Sequence, residues 1–177
     1  TNFIQNQDSF YYSTILFNSR LIDSSELDRS VIHNRNVISL INATRAEGGT
    51  RFYPPIQHAI NQLQNKEGNK YILLVSDGKP SDLSETLSLI ESDIRSISSV
   101  ACIRNADACI TIISLGIDGA NLNALKEVNG NSNIHNADEF LYTASSDRLN
   151  EAFQAIVNAI ACKIYDVPED FFNSEYG

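Results

Sequence analysis

Two residues with hard oxygen donors, Thr50 and Asp77, are the strongest candidates for chemistry in this sequence. Asp77 follows the apolar run from Tyr71 to Val75 and precedes Gly78, and Thr50 directly follows a pair of glycines. A hydroxyl and a carboxylate suit Mg²⁺, which binds few protein groups and keeps several waters. The pair therefore predicts a divalent-cation site. The alternative is that Asp77 only caps the next helix, as Asp commonly does in a turn.

Other catalytic and cofactor motifs do not occur in the sequence. The Gly48-Gly49-Thr50 loop lacks the lysine and the spacing of a phosphate-binding loop, and there is neither a Gly-x-Ser-x-Gly elbow nor a zinc helix motif. His33, His58 and His135 are scattered, and we interpret each as a surface or capping residue rather than a metal ligand. The sequence therefore predicts a protein without enzymatic activity.

The elements that must position Thr50 and Asp77 are predicted from apolar patterns. The runs from Tyr71 to Val75 and from Cys109 to Leu115 are typical of strands buried on both faces. Strands that alternate with helices indicate an α/β fold, a Rossmann-like three-layer sandwich with a mostly parallel central sheet and helices on both faces. The carboxyl ends of such strands meet at one edge, where ligands bind, so we expect Thr50 and Asp77 to converge there.

The remaining elements are predicted from the same patterns and from turn residues. They are a strand from Ser9 to Phe17, an edge strand from Arg20 to Asp23, a helix from Val37 to Thr44, a helix opened by Pro54-Pro55, a long helix from Ser81 that Ser81 or Asp82 caps, a helix from Asn121 to Val128, a strand from Glu139 to Thr143 and a last helix capped by Ser145 or Ser146.

Composition and charge narrow the class of protein. The 177 residues fit one domain, and the net charge of -9 argues against a nucleic-acid partner, which needs a basic face. No apolar run reaches the length of a membrane-spanning helix, so we expect no membrane span in this chain.

The cysteines and one sequon favour a secreted protein. Cys102 and Cys109 flank a short polar segment that a turn would fold back, which makes them candidates for a local disulfide. Cys162 is then left over, and in a secreted chain it suggests a bond to a partner outside the chain or to a missing piece of the chain. Asn42-Ala43-Thr44 is a candidate glycosylation site. We therefore predict an extracellular or cell-surface glycoprotein; three buried free thiols in a cytosolic protein are the alternative.

Several of these segments, taken together, resemble the von Willebrand factor A domain. They are, in the order of that family, Phe10 to Ser19, Gly48-Gly49-Thr50, Ile72 to Gly78, Ile112 to Gly119, Phe140 to Thr143 and Leu149 to Phe153. The resemblance covers residues 1–163, which we interpret as one N-terminally incomplete domain, and 164–177 as an acidic, aromatic linker or tail.

The resemblance implies a metal-ion-dependent adhesion site, at which a ligand's Asp or Glu carboxylate completes the shell of Mg²⁺. Thr50 matches the threonine of that site and Asp77 matches its later aspartate. The Asp-x-Ser-x-Ser loop of the family has no counterpart, because Asp82-Leu-Ser84-Glu-Thr86 has similar spacing but lies at a predicted helix start. The predicted metal site is therefore incomplete, and Mg²⁺ or another divalent cation is expected only where the missing loop is supplied.

The first strand of the family, which precedes that loop, is likewise missing from this sequence. It is expected to lie outside this chain in the natural protein, to be donated by another chain, or to be dispensable because the fold has closed up. We favour the first alternative. Extracellular members often tie the end of their last helix to a cysteine before the first strand, and the resemblance gives that role to Cys162.

Two functions of different classes follow from these observations. The first is a non-enzymatic extracellular adhesion or protein-interaction module whose protein ligand binds through an Asp or Glu carboxylate. The second is a structural assembly subunit of a larger extracellular complex, completed by a strand from another segment and without metal-dependent binding.

Overall fold

A computed structural model describes residues 11–28, 30–45, 48–94, 110–132 and 140–165. Its strands are Ile15–Phe17 (β1), Leu21–Ser24 (β2), Lys70–Ser76 (β3), Ile110–Ile117 (β4) and Leu141–Ala144 (β5). Its α-helices are Val31–Ala43 (α1), Tyr53–Leu63 (α2), Leu83–Leu89 (α3), Leu122–Ser132 (α4) and Leu149–Tyr165 (α5). A π-helical turn, Ile90–Ile94, continues α3, and a 3-10 turn, Ser146–Arg148, precedes α5.

The strands form two separate sheets within the described ranges. Strands β3, β4 and β5 are parallel neighbours in that order, and Ser76 at the end of β3 lies opposite Gly116 of β4. Strands β1 and β2 form an antiparallel pair of their own. Because the parallel strands are joined through helices, the predicted α/β fold with a mostly parallel sheet is confirmed.

Helices cover both faces of the parallel sheet. Ile110 and Ile112 of β4 pack on one face with the side chains of α2, α3 and α4, while Ile113 and Leu115 pack on the other face with α5. This alternation follows from the period of two in a strand, where successive side chains point to opposite faces. The three layers are therefore helices, sheet and helix.

The structure corrects the bounds of several predicted elements. Helix α1 begins at Val31, not Val37, because the Ser30 hydroxyl accepts a hydrogen bond from the His33 amide at 3.0 Å and caps it. Strand β3 is not buried on both faces, since Leu73 is 36% exposed. Gly116 lies inside β4 rather than after it.

A buried polar network joins α4 to the sheet. Ser114 in β4 donates a hydrogen bond to Asn129 Oδ1 at 2.7 Å, and Asn129 Nδ2 donates to the Phe140 carbonyl at 2.9 Å. Both side chains are fully buried, so these bonds fix α4 relative to β4 and to the start of β5.

Among the helices that the structure describes, none is long and apolar enough to cross a membrane.

Candidate functional site

Thr50 and Asp77 lie on adjacent loops at the carboxyl edge of the parallel sheet. Asp77 directly follows β3, and Thr50 precedes α2. A Cβ atom placed on Gly78 would lie 2.3 Å from Thr50 Oγ1, so the threonine hydroxyl rests directly against the residue after Asp77. Only a glycine permits this approach without displacing the hydroxyl.

The Asp77 carboxylate is available for a ligand. Asp77 is exposed, and within the described residues its carboxylate has neither a hydrogen bond nor an ion pair. It therefore does not cap the following helix, which was the alternative interpretation of this residue.

The loop that carries Thr50 is held from two sides. The Thr50 carbonyl accepts hydrogen bonds from the Ser81 amide at 3.0 Å and from the Ser81 hydroxyl at 3.3 Å. On the other side, the Gly49 amide donates to Ser19 Oγ at 3.0 Å and the Arg51 amide donates to the Asn18 carbonyl at 2.9 Å. The turn after β1 and the loop after β3 thus fix the position of the Thr50 backbone.

Asp82 has a different role from the predicted one. It occupies the N-cap position of α3, yet its side chain makes no capping bond to that helix. Its carboxylate oxygens instead accept hydrogen bonds from the Phe52 and Tyr53 amides, both at 2.9 Å, and its Oδ2 lies 3.4 Å from Arg51 Nε. Asp82 therefore caps α2, a helix that is distant in sequence. The sequence contains one indication that α2 is capped from elsewhere. Phe52, directly before α2, has no side-chain acceptor for the first amides of that helix.

The donors present fit part of a Mg²⁺ site. Thr50 and Asp77 supply one hydroxyl and one carboxylate, and Mg²⁺ accepts such a sparse set when water fills the other positions. The described residues contain no group of three or more His, Cys, Asp or Glu side chains that could hold a metal ion. The remaining ligands would come from water and from groups outside the described residues.

A cleft of about 610 Å³ lies at the same sheet edge, beyond β4 and β5. Asp118, with a φ of 40°, turns the chain after β4, and its carboxylate accepts a hydrogen bond from the Ser146 amide before α5. Arg148 and Glu151 line the cleft and pair with each other. The carboxyl edge thus carries this cleft in addition to the loops of Thr50 and Asp77.

The other predicted site residues are only partly described. Asn42 is exposed in the last turn of α1. Cys102 and Cys109 lie outside the described residues, and Cys162 falls in α5 with its side chain outside them, so the disulfide assignments stay predictions.

Two of the histidine interpretations can be compared with the structure. His33 is not a surface residue: it is buried, and its Nε2 lies 2.9 Å from the Tyr12 carbonyl oxygen. His58 is half-buried, with Nε2 3.2 Å from Gln62 Nε2, whereas His135 lies outside the described residues.

The fold and the position of this edge agree with a comparison against protein families. The family described as von Willebrand factor type A domain matches residues 1–155. The chain belongs to this family, whose members are protein-interaction modules. A comparison with curated proteins gives no match.

Proposed function

We propose that this protein is a non-enzymatic extracellular adhesion module, and that it binds a protein partner through Mg²⁺ at Thr50 and Asp77. The observation that carries the proposal is the contact of the Thr50 hydroxyl with Gly78, beside an exposed Asp77 carboxylate that the described residues leave unused. A partner's Asp or Glu carboxylate would be the further ligand of the ion.

The charge of the chain supports a metal at this contact. A protein with a net charge of -9, and with a carboxylate at its binding edge, repels an acidic partner. A bound divalent cation inverts the local charge and lets two carboxylates share one ligand shell. The metal would therefore attract the acidic partner, and binding of that partner would depend on divalent cations.

Secretion is supported by the sequence features described above. The exposed position of Asn42 suits a glycosylated residue, and the close sequence spacing of Cys102 and Cys109 suits a chain that forms disulfides in an oxidising compartment.

A Mg²⁺ titration followed by amide chemical shifts tests the metal proposal. We expect weak binding, with shift changes concentrated at Thr50, Asp77 and Gly78, because this chain contributes two donors. Asp77→Ala should abolish these changes, whereas Asp147→Ala, which removes an exposed carboxylate from the 3-10 turn before α5, should leave them intact. Identical shifts in the Asp77→Ala protein, or tight binding that is independent of Thr50, would contradict the proposal.

One observation favours the second function, assembly through a donated strand. Within the described residues no strand pairing joins β1 to β3, although Ile15 and Phe17 of β1 pack on the same core cluster as Ile72 and Leu74 of β3. An extended segment from another chain that pairs between them would complete one sheet. Sedimentation in EDTA over a wide concentration range tests this function for strand exchange between copies of this chain: oligomers are expected, and a monomer at every concentration would exclude such exchange.

A further inference from the structure

We propose that Asp82 is the positioning residue of the site, and that its buried carboxylate sets the distance between the Thr50 hydroxyl and Asp77. The effect of Asp82 on metal binding rests on the proposed function. The role of Asp82 in placing Thr50 against Gly78 does not depend on that function.

The bonds of Asp82 place it between the two loops. Asp82 is 4% exposed and belongs to the loop that begins at Asp77. Its two carboxylate oxygens accept the Phe52 and Tyr53 amides, which follow Thr50 by two and three residues. The first amides of a helix carry partial positive charge, so a carboxylate bonded to them forms a strong, charge-assisted tie.

The backbone of Asp82 is fixed as firmly as its side chain. The Asp82 carbonyl accepts hydrogen bonds from the Thr86 amide and the Thr86 hydroxyl, both at 2.9 Å, and Thr86 is fully buried. The carboxylate therefore holds the start of α2 on a rigid support and, together with the Ser81 bonds to the Thr50 carbonyl, places Thr50 against Gly78. Two aspartates of one loop thus have different roles: the Asp82 carboxylate is bonded to the start of α2, whereas the Asp77 carboxylate has no partner among the described residues.

The test compares Asp82→Ala with Glu85→Gln by nuclear magnetic resonance. Glu85 is exposed and forms an ion pair with Arg51 at 3.0 Å. Glu85→Gln therefore removes the charge of this ion pair and leaves Asp82 unchanged. In the unaltered protein, the Thr50 methyl and the Gly78 α-protons should show a nuclear Overhauser contact, and Mn²⁺ should broaden the resonances of Thr50 and Gly78 together.

In Asp82→Ala we expect the contact to disappear and Mn²⁺ to broaden Gly78 but spare Thr50, while the resonances of β4 keep their shifts. The Phe52 and Tyr53 amides should exchange with solvent about tenfold faster or more, because each loses a charged acceptor. Glu85→Gln should retain the contact and the joint broadening. A folded Asp82→Ala protein that keeps the Thr50 to Gly78 contact overturns the inference.

A third variant keeps the inference testable if Asp82→Ala does not fold. Asp82→Asn preserves the shape of the side chain but offers one acceptor oxygen, so it should weaken the Thr50 to Gly78 contact. An unchanged contact in Asp82→Asn overturns the inference. If Mn²⁺ broadens neither loop of the unaltered protein, the proposed metal function fails, and the contact alone still decides the role of Asp82.

Discussion

Gly78 is the residue at which the two loops of the candidate site come closest, and its missing side chain makes that approach possible. The Thr50 hydroxyl occupies the space that a Cβ atom would fill. The two residues of the dipeptide Asp77-Gly78 therefore have separate roles. Asp77 provides a carboxylate without a partner among the described residues, and Gly78 provides a backbone without a side chain, against which Thr50 packs.

Gly78→Ala should separate Thr50 from Asp77 without altering either donor. The added methyl group would overlap Thr50 Oγ1, so the hydroxyl must rotate or the loop must move, at a cost of about 1–3 kcal/mol in stability. Mg²⁺-dependent shifts at Thr50 should be lost while those at Asp77 persist. Urea denaturation and the Mg²⁺ titration measure the two effects, and a variant with unchanged shifts at Thr50 would show that the contact is irrelevant to the metal.

Asn129 should be among the least replaceable residues of the core. Asn129→Ala leaves the buried Ser114 hydroxyl without its acceptor and removes one donor from the Phe140 carbonyl, at roughly 1–3 kcal/mol for the unsatisfied hydroxyl. Asn123→Ala, an exposed change on the same helix, should fall within about 0.5 kcal/mol of the unaltered protein. Chemical denaturation compares the two variants, and equal stabilities would mean that water or a rearranged partner satisfies the network.

At the scale of elements, helix α1 contacts the rest of the protein through polar residues as well as through the buried Val37. It buries His33 and Asn34, which bond to the Tyr12 carbonyl and hydroxyl, and it exposes Ile32, Ile38 and Ile41. A prediction based on apolar periodicity starts this helix too late, because its first turn faces inward with polar side chains. The ordinary rule that isoleucine marks the buried face does not hold here.

The stability of the protein should depend on Tyr12 at alkaline pH. Burial, and then the nearby Asp28 carboxylate, raise the pKa of Tyr12 above its ordinary value of 10.0, because both disfavour the phenolate. The unfolded chain therefore loses this proton first, so stability is intact below about pH 10 and falls as pH rises from there through the folded pKa.

Urea denaturation from about pH 9 to about pH 11 measures this dependence. Tyr12→Phe should lose the Asn34 bond, at about 1 kcal/mol, and show a smaller decline with pH than the unaltered protein. Tyr11→Phe, an exposed neighbouring change, serves as the control and should decline like the unaltered protein. Parallel declines in all three proteins would exclude Tyr12 as the source.

At the scale of the whole molecule, sequence patterns predict what depends on neighbours along the chain. The apolar runs predict β3 and β4, the proline pair predicts the start of α2, and the alternation of strands and helices predicts the α/β class. The bonds of Asp82 are an example of what such patterns do not predict. The residue type predicts a cap, but its partner is a helix start about thirty residues earlier, which only the folded chain brings within reach. That Asp77 has no partner among the described residues is likewise a property of its surroundings.

The division into two sheets predicts two levels of local stability. Strand β4 is paired on both sides, whereas β1 is tied to the core mainly by packing, including an edge contact between Phe17 and Phe52 with ring centroids 6.3 Å apart. Hydrogen exchange should therefore be slowest in β4 and faster in β1 and β2, since separate units open at separate free energies.

Phe17→Ala should widen that difference selectively. Phe17 is half-buried, so its truncation should cost about 2 kcal/mol, below the 3–5 kcal/mol of a fully buried phenylalanine. The exchange of β1 and β2 amides should accelerate by one to two orders of magnitude while that of β4 changes little. Ile22→Ala in β2, where the side chain is exposed, is the matched control and should accelerate neither. Equal acceleration of β4 in the Phe17→Ala protein would mean that the two sheets unfold as one unit.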